Sequence, residues 1–348
     1  MNQDNFNCPI PHHDDERISI AHGGGGLMMH RLLEKTIFPR VSPEQAHASQ
    51  DSALIADSLA LSTDSFVVSP LFFPGGDIGR LSVFGTTNDL AMVGAEANYL
   101  SLGLILEEGF PKCDLERILA SIDAAQKEVG VKVVTGDTKV VPRGKGDGVY
   151  INTAGVGRLI NPVLRLAPGQ VCDGDHIIVS GDIGRHEASI IVARKEFGIE
   201  ADIASDLAAL TPTVRKLIDA GLDLHCLRDL TRGGLGSALH EICHSNRKNL
   251  SFVLDSEKLP LSQEVNSLAE LLGFDPLFMA NEGRFVAFVS PADSEQTLAI
   301  MQSMPGGNAA AVIGTVRQEE RSQVWVKSAY GSEKKLPILN GDQLPRIC

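Results

Sequence analysis

The sequence predicts an α/β (α+β) chain folded as two domains. Its 348 residues, 43% of them hydrophobic, are enough for two packed cores. From residue 16 onward, short β-branched runs alternate with amphipathic helical stretches. The Pro/Gly/Asp-containing segment NPVLRLAPGQVCDGD (161–175) ends one such set and precedes another.

In chain order, GGGG (Gly23, Gly24, Gly25 and Gly26) opens a helix LMMHRLLEKTIF. The strand YLSLGLIL, the helix DLERILASIDAAQKEV and the strand VKVV follow in the first half. After the boundary come the strand HIIVSG, the helices HEASIIVARKEF and TPTVRKLIDA, a glycine turn and the helix LGSALHEICH. The strands LSFVL, VAFVS and AAVIGTV complete the second half. These elements divide the chain into a leader at 1–15, domains at 16–165 and 166–338, and a mobile tail at 339–348. The tail has no sustained period, so ten extended residues let Cys348 range over roughly 33–36 Å. Gly341 serves there as a swivel, and Pro345 stiffens the end.

A formal charge of −13 argues against nucleic acid as a partner, because backbone binding needs clustered Lys and Arg. No long uncharged apolar run or signal-like start appears, so no membrane role and a cytoplasmic location are expected. The six cysteines form no CxxC pair, which leaves reduced thiols as the default. His225-Cys226 with Cys243-His244 is a conceivable metal cluster, but Cys243 lies in an apolar-periodic helix where packing explains it. Cys8 with His12, His13, Asp14 and Asp15 reads better as a disordered, Pro-broken leader than as a metal site.

Four aspartates carry the chemistry: Asp64 in LSTDSF, Asp89 in TTNDLAM, Asp137 in VTGDTKV and Asp229 in LRDLTRGG. Each follows or adjoins a β-like run among turn-forming residues, and Asp89 and Asp229 are expected just ahead of helices. Converging, they would offer oxygen ligands suited to Mg²⁺ and nucleotide phosphates; taken singly, each is explained by local turn or cap bonding. GGGG, FPGGDIG (Gly75, Gly76) and TRGGLG (Gly233, Gly234, Gly236) would let backbone N–H groups approach phosphate. There is no Walker A and no GxGxxG after a strand, so an ATP site here is of neither kind. Lys139, with Arg143 or Lys145, is placed to face a phosphate or simply to be solvated. Glu282, between apolar PLFMA and RFVAFV, is either a partly desolvated base or an exposed turn residue.

Together LSTDSFVVSPLFFPGGDIG, GTTNDLAMVGA, YLSLGLILEEG, VTGDTKVV, RDLTRGGLGSALHE, MANEGRF and the terminal PRIC resemble the HypE family. These are hydrogenase maturation factors, the carbamoyl dehydratases, and the match runs from about residue 18 to the end. The PRIC ending separates them from aminoimidazole ribonucleotide synthetase, selenophosphate synthetase and thiamine monophosphate kinase. The resemblance implies a PurM-like two-domain fold: an N-terminal domain dimerising through a β-barrel, and a C-terminal α/β domain. It implies ATP-dependent dehydration of an S-carboxamide on Cys348 to an S-cyanide. Carbamoyl would come from HypF, and cyanide would pass to the HypC–HypD complex for the iron of [NiFe] hydrogenase.

By the same resemblance Asp64, Asp89, Asp137 and Asp229 would hold Mg²⁺ and ATP. Asn88, Thr138, Thr231, Gly233, Gly234 and the four glycines of GGGG would assist. Lys139 would neutralise charge on the transferred phosphoryl or amide oxygen, and Glu282 would take an amide proton. The family often carries AHGSGG, so Gly24 replaces a serine here. The alternatives are a small-molecule kinase or synthetase of the selenophosphate synthetase or thiamine monophosphate kinase type, and a non-enzymatic thiol carrier.

Overall fold

The protein is seen in a computed structural model that describes residues 17–41, 50–55 and 58–339. The first sheet contains β1 (Ala53–Ile55), β2 (Leu59–Phe66), β3 (Ala95–Glu107), β4 (Lys132–Val141) and β5 (Val149–Leu159), in the order β1-β2-β5-β3-β4. The second contains β6 (His176–Val179), β7 (Leu224–Asp229), β8 (Leu250–Asp255), β9 (Phe285–Val289), β10 (Ala311–Gln318), β11 (Val324–Lys327) and β12 (Glu333–Lys335). Its order is β12-β11-β8-β10-β6-β9-β7.

The N-terminal helix starts with α1 (Leu27–Leu32) and continues through a π turn to Val41, as the glycine run before it predicts. The other main helices are α2 (Ile78–Met92), α3 (Lys112–Val129), α4 (Arg185–Arg194), α5 (Thr211–Asp219), α6 (Gly234–Ser245), α7 (Gln263–Leu272) and α8 (Ser294–Ser303).

One face of the first sheet is covered. Ala60, Phe66, Leu100, Leu104 and Ile151 pack there against Leu81, Phe84 and Leu90 of α2 and Ile118 and Ile122 of α3. Apolar burial of this kind is the main favourable term in folding. The other face is open: Leu61, Tyr99 and Ile105 are exposed.

Helix α2 lies at the centre of the molecule, with 13 of its 15 residues buried. Asp77 caps it, accepting the N–H groups of Gly79 and Arg80, so FPGGDIG serves a short hairpin and a helix start. Ala91 and Met92 join the core of the second sheet beside Ile178, Leu227 and Phe285. One helix therefore spans both cores, and its C-terminal half, at Asn88 and Asp89, falls where the sheets meet.

On the other face of the second sheet α6 packs Leu235, Leu239, Ile242 and Cys243 against Phe252 and Phe288. Burial pushes both the Cys226 and Cys243 thiols up to about 12, so they remain protonated core groups. Cys8 and the rest of the leader, like Gly341, Pro345 and Cys348, lie outside the described residues.

Candidate active site between the two sheets

Asp64 belongs to strand β2 rather than to a turn, on the face that looks at α2. Asp89 is inside α2 rather than ahead of it, because the helix is buried on all sides and shows no surface period. Asp229 ends β7 immediately before the TRGG turn and α6, as expected. Glu282 occupies the loop leading into β9.

These four carboxyls share one electrostatic environment. Burial, followed by the fields of Asp229, Asp51 and Asp64, holds Asp89 well above the ordinary carboxylate range. Burial, then Asp51, raises Asp229 in the same sense. Burial, then Asp229, Asp64 and Asp206, raises Glu282, against the opposing pull of Arg232. Asp64 is raised by burial and eased by Arg232.

Ser62 donates to Asp89 Oδ2 at 2.6 Å, and Oδ2 of Asp229 is buried without a hydrogen-bond partner. A buried, unpartnered carboxylate oxygen beside two further carboxyls fits a hard divalent cation. Among the described residues no group of three or more His, Cys, Asp or Glu closes into a metal cluster. Mg²⁺ typically takes one or two carboxylates and completes its shell with water and phosphate oxygens.

Two glycine stretches meet at this point. A Cβ on Gly25, which has φ of +78°, would stand 2.8 Å from the Arg232 carbonyl oxygen, so the glycine loop lies directly on the TRGG turn. Gly24 and Gly26 are buried beside it, while Gly23 is half-buried. Gly233 precedes α6 in the left-handed region, Gly234 opens the helix, and Thr231 stands 3.5 Å from Asp229 Oδ1. The Leu27 N–H, at the end of the same loop, donates to the Leu339 carbonyl at 2.9 Å. The C-terminal tail thus departs from beside the glycine loop.

Asp137, Thr138 and Lys139 are not part of this cluster within the chain. Asp137 lies in strand β4, not in a turn, at the sheet edge. The row through Asp64 runs Thr153, Leu102, Gly136, three strand spacings or roughly 14 Å across. Asp137 belongs to the next row, Ser65, Asn152, Gly103, and a one-residue step reverses the face. Asp137 and Lys139 therefore project from the open face, ion-paired and more than two-thirds exposed. That Lys139 contact and the Thr138 N–H hold the Asp137 carboxyl below its usual range. Thr138 takes the opposite face at the exposed edge.

Asn88 is committed to backbone. Its Nδ2 donates to Ala208 O at 3.0 Å and reaches Glu282 O at 3.5 Å, while Oδ1 accepts the Leu210 N–H at 2.8 Å. In this structure it is a clasp between α2 and the second domain rather than a ligand pointing into the site.

Behind the site is a charge network that motif reading missed. Arg228 Nη1 contacts Asp51 Oδ1 and Glu241 Oε2, each at 2.9 Å, and Glu241 Oε1 meets His30 Nε2 at 3.0 Å. Burial pushes Asp51 up to about 6 against the Arg228 guanidinium. The signal was present: Arg228 sits in the almost wholly buried strand LHCLRD, where a cation requires a partner.

A two-domain fold that encloses acidic groups and glycine loops between its sheets defines the AIR synthase-related, PurM-like class. Residues 49–159 match the AIR synthase related protein N-terminal domain and residues 173–327 its C-terminal domain. The chain is 45% identical to carbamoyl dehydratase HypE of Azotobacter vinelandii, covering 95% of this chain and 97% of that one. It is 44% identical to the Rhodobacter capsulatus carbamoyl dehydratase HypE, covering 96% and 99%. A crystal structure of a HypE–HypF complex superposes with a TM-score of 0.84 at 39% identity, over 88% of this chain and 99% of the other. HypE in complex with ATP gives 0.80 at 39% identity, over 93% and 98%. A thiamine monophosphate kinase of Aquifex aeolicus, at 18% identity and a TM-score of 0.64, shares the fold. The chain belongs to the HypE carbamoyl dehydratase family.

Proposed function

We propose that this chain is an ATP-dependent carbamoyl dehydratase acting on its own C-terminal cysteine in hydrogenase maturation. The observation that carries the reading is the root of the tail. Leu339 is bonded to the residue that ends the glycine loop, and that loop rests on the turn following Asp229. The nine residues beyond Leu339 reach roughly 30–32 Å when extended, enough to return Cys348 to the carboxylate cluster.

The reaction converts R–S–C(=O)–NH₂ and ATP to R–S–C≡N, ADP and inorganic phosphate. The carboxamide oxygen takes the γ-phosphoryl group while its nitrogen loses one proton. The C–O bond then breaks, phosphate leaves with that oxygen, and the second N–H proton departs as the triple bond forms. Mg²⁺ held by Asp229, whose Oδ2 has no partner, with one of Asp64 and Asp89 would offset charge on the phosphates. Backbone N–H groups of the two glycine stretches would orient the nucleotide, with Thr231 beside Asp229. Glu282, desolvated and surrounded by other carboxyls, has the raised basicity that removing an amide proton demands.

Lys139 and Asp137 enter from a second subunit in this reading. They stand on the open sheet face with the exposed Leu61, Tyr99 and Ile105, a surface suited to pairing with its own copy in a homodimer. HypF as carbamoyl donor, HypC–HypD as cyanide acceptor and a cytoplasmic setting complete the proposal. No helix among the described residues is long and apolar enough to cross a membrane.

Intact-mass measurement tests the reading. Full-length protein carbamoylated at Cys348 should lose the mass of one water on adding Mg·ATP, with no partner protein present. Asp89→Asn should not. Retention of the full mass by the unsubstituted chain would refute self-dehydration.

A further inference from the structure

We infer that Asp206 is a positioning residue for the base, holding the Glu282 loop by its backbone; this rests on the dehydratase reading given above. Asp206 lies in the coil between α4 and α5, and its side chain is wholly buried. Its Oδ1 accepts the N–H of Glu282 at 3.3 Å and its Oδ2 the N–H of Gly283 at 3.2 Å. A single carboxylate thus receives two successive amides, one of them belonging to the base itself.

The chemistry requires an aspartate there. Two converging N–H donors need two acceptor oxygens, whereas an asparagine would turn its own NH₂ towards one of them. Burying a carboxylate is costly unless donors surround it. Here the two amides and the Arg284 guanidinium, 4.0 Å from Oδ2, do so. Arg284 is itself fixed by Asp182, whose Oδ1 accepts from Nη2 at 2.7 Å and whose carbonyl accepts from Nε at 2.9 Å. Residue 283 must be glycine for this approach, since a Cβ there would lie 2.0 Å from the Asp206 carbonyl oxygen.

The cradle is also tied down on its far side. Ser205 N–H donates to the Pro74 carbonyl at 2.8 Å, and its hydroxyl meets Nδ1 of the buried His186 at 2.8 Å. Four residues beyond Asp206, Leu210 donates to Asn88, the neighbour of Asp89. Asp206 therefore refers the base to the same helix that carries a candidate metal ligand. Displacement of a catalytic group by about 1 Å costs on the order of a hundredfold in rate, so such a cradle has a kinetic consequence.

The test uses the full-length chain carbamoylated at Cys348, followed by intact mass in single turnovers at saturating Mg·ATP. Asp206→Asn should slow water loss about tenfold to hundredfold while ATP affinity stays within about twofold. The charged groups around Glu282 are Asp229, Asp64, Asp206 and Arg232. Removing the Asp206 charge should therefore move the rising limb of the pH–rate profile to lower pH, which a purely structural defect would not do. In the unsubstituted chain, hydrogen exchange should find the Glu282 and Gly283 amides protected, and rapid exchange there would overturn the inference without any variant. An unchanged rate and pH limb in Asp206→Asn, in a chain that otherwise loses water, would overturn the inference and leave the dehydratase reading standing. Failure of the unsubstituted chain to lose water would refute both.

Discussion

Replacing Arg228 by methionine isolates the charge network behind the site. Arg228 is 8% exposed and bridges Asp51 and Glu241. Removing the cation leaves the buried Asp51 without its cationic partner and Glu241 with His30 alone, and breaking a buried pair in this way costs about 3–5 kcal/mol. Asp51 sets the pH dependence. Its folded value of about 6 already stands above the ordinary 3.8, and Arg228 is the strongest influence holding it down. A carboxyl raised in the folded state binds more protons there than in the unfolded chain, so stability falls as pH rises from the unfolded to the folded value. Losing Arg228 raises the folded value further and extends that fall through neutrality. The deficit of Arg228→Met should therefore be largest at pH 7.5 and shrink at pH 5.5 as Asp51 takes up its proton. Urea unfolding of both proteins at the two pH values measures it. A deficit below about 1 kcal/mol at pH 7.5, or one unaltered at pH 5.5, would refute the reasoning.

Asp89→Asn removes one of several like charges from a buried cluster, so it should raise the melting temperature of the nucleotide-free protein while abolishing stabilisation by Mg·ATP. A thermal scan with and without Mg·ATP reads both effects. Gly25→Ala places a side chain at φ of +78° and 2.8 Å from the Arg232 carbonyl, and should weaken ATP binding about tenfold in calorimetry. Lys139→Ala and Asp229→Asn should each be inactive alone, yet mixed dimers should regain part of the activity, because one of their two composite sites is intact. Failure to complement would place Lys139 in its own subunit's site. Deleting residues 340–348 should abolish turnover coupled to self-modification, whereas an enzyme acting on a free small molecule would keep its activity.

The sequence and the structure part company at particular residues, and for physical reasons. Asp229 was legible because a strand end, a glycine turn and a helix start all leave local marks, and all are observed. The flanking Ser and Thr suggest a turn for Asp64, whereas the structure places it in β2. In β2 the inward positions Ser62 and Asp64 face the site, so polar residues occupy the places where a buried strand would show apolar ones. Asp89 lies inside α2 rather than ahead of it for the converse reason. Helix α2 is enclosed on every side and carries Thr86, Thr87 and Asn88 inward, which leaves no 3.6-residue contrast between core and solvent.

Asp206 and Asp51 left no mark, since each acts on backbone or on a cation distant in sequence. Asp137 and Lys139 carry a different lesson. Their motif is plain, but their separation from Asp64 follows from sheet register, and register is decided by pairings between strands far apart in the chain. A motif on the uncovered face of a sheet is completed by whatever covers that face. The same register that removes Lys139 from its own chain's carboxylates leaves it on the exposed face beside Ile105, its neighbour across the strand pair.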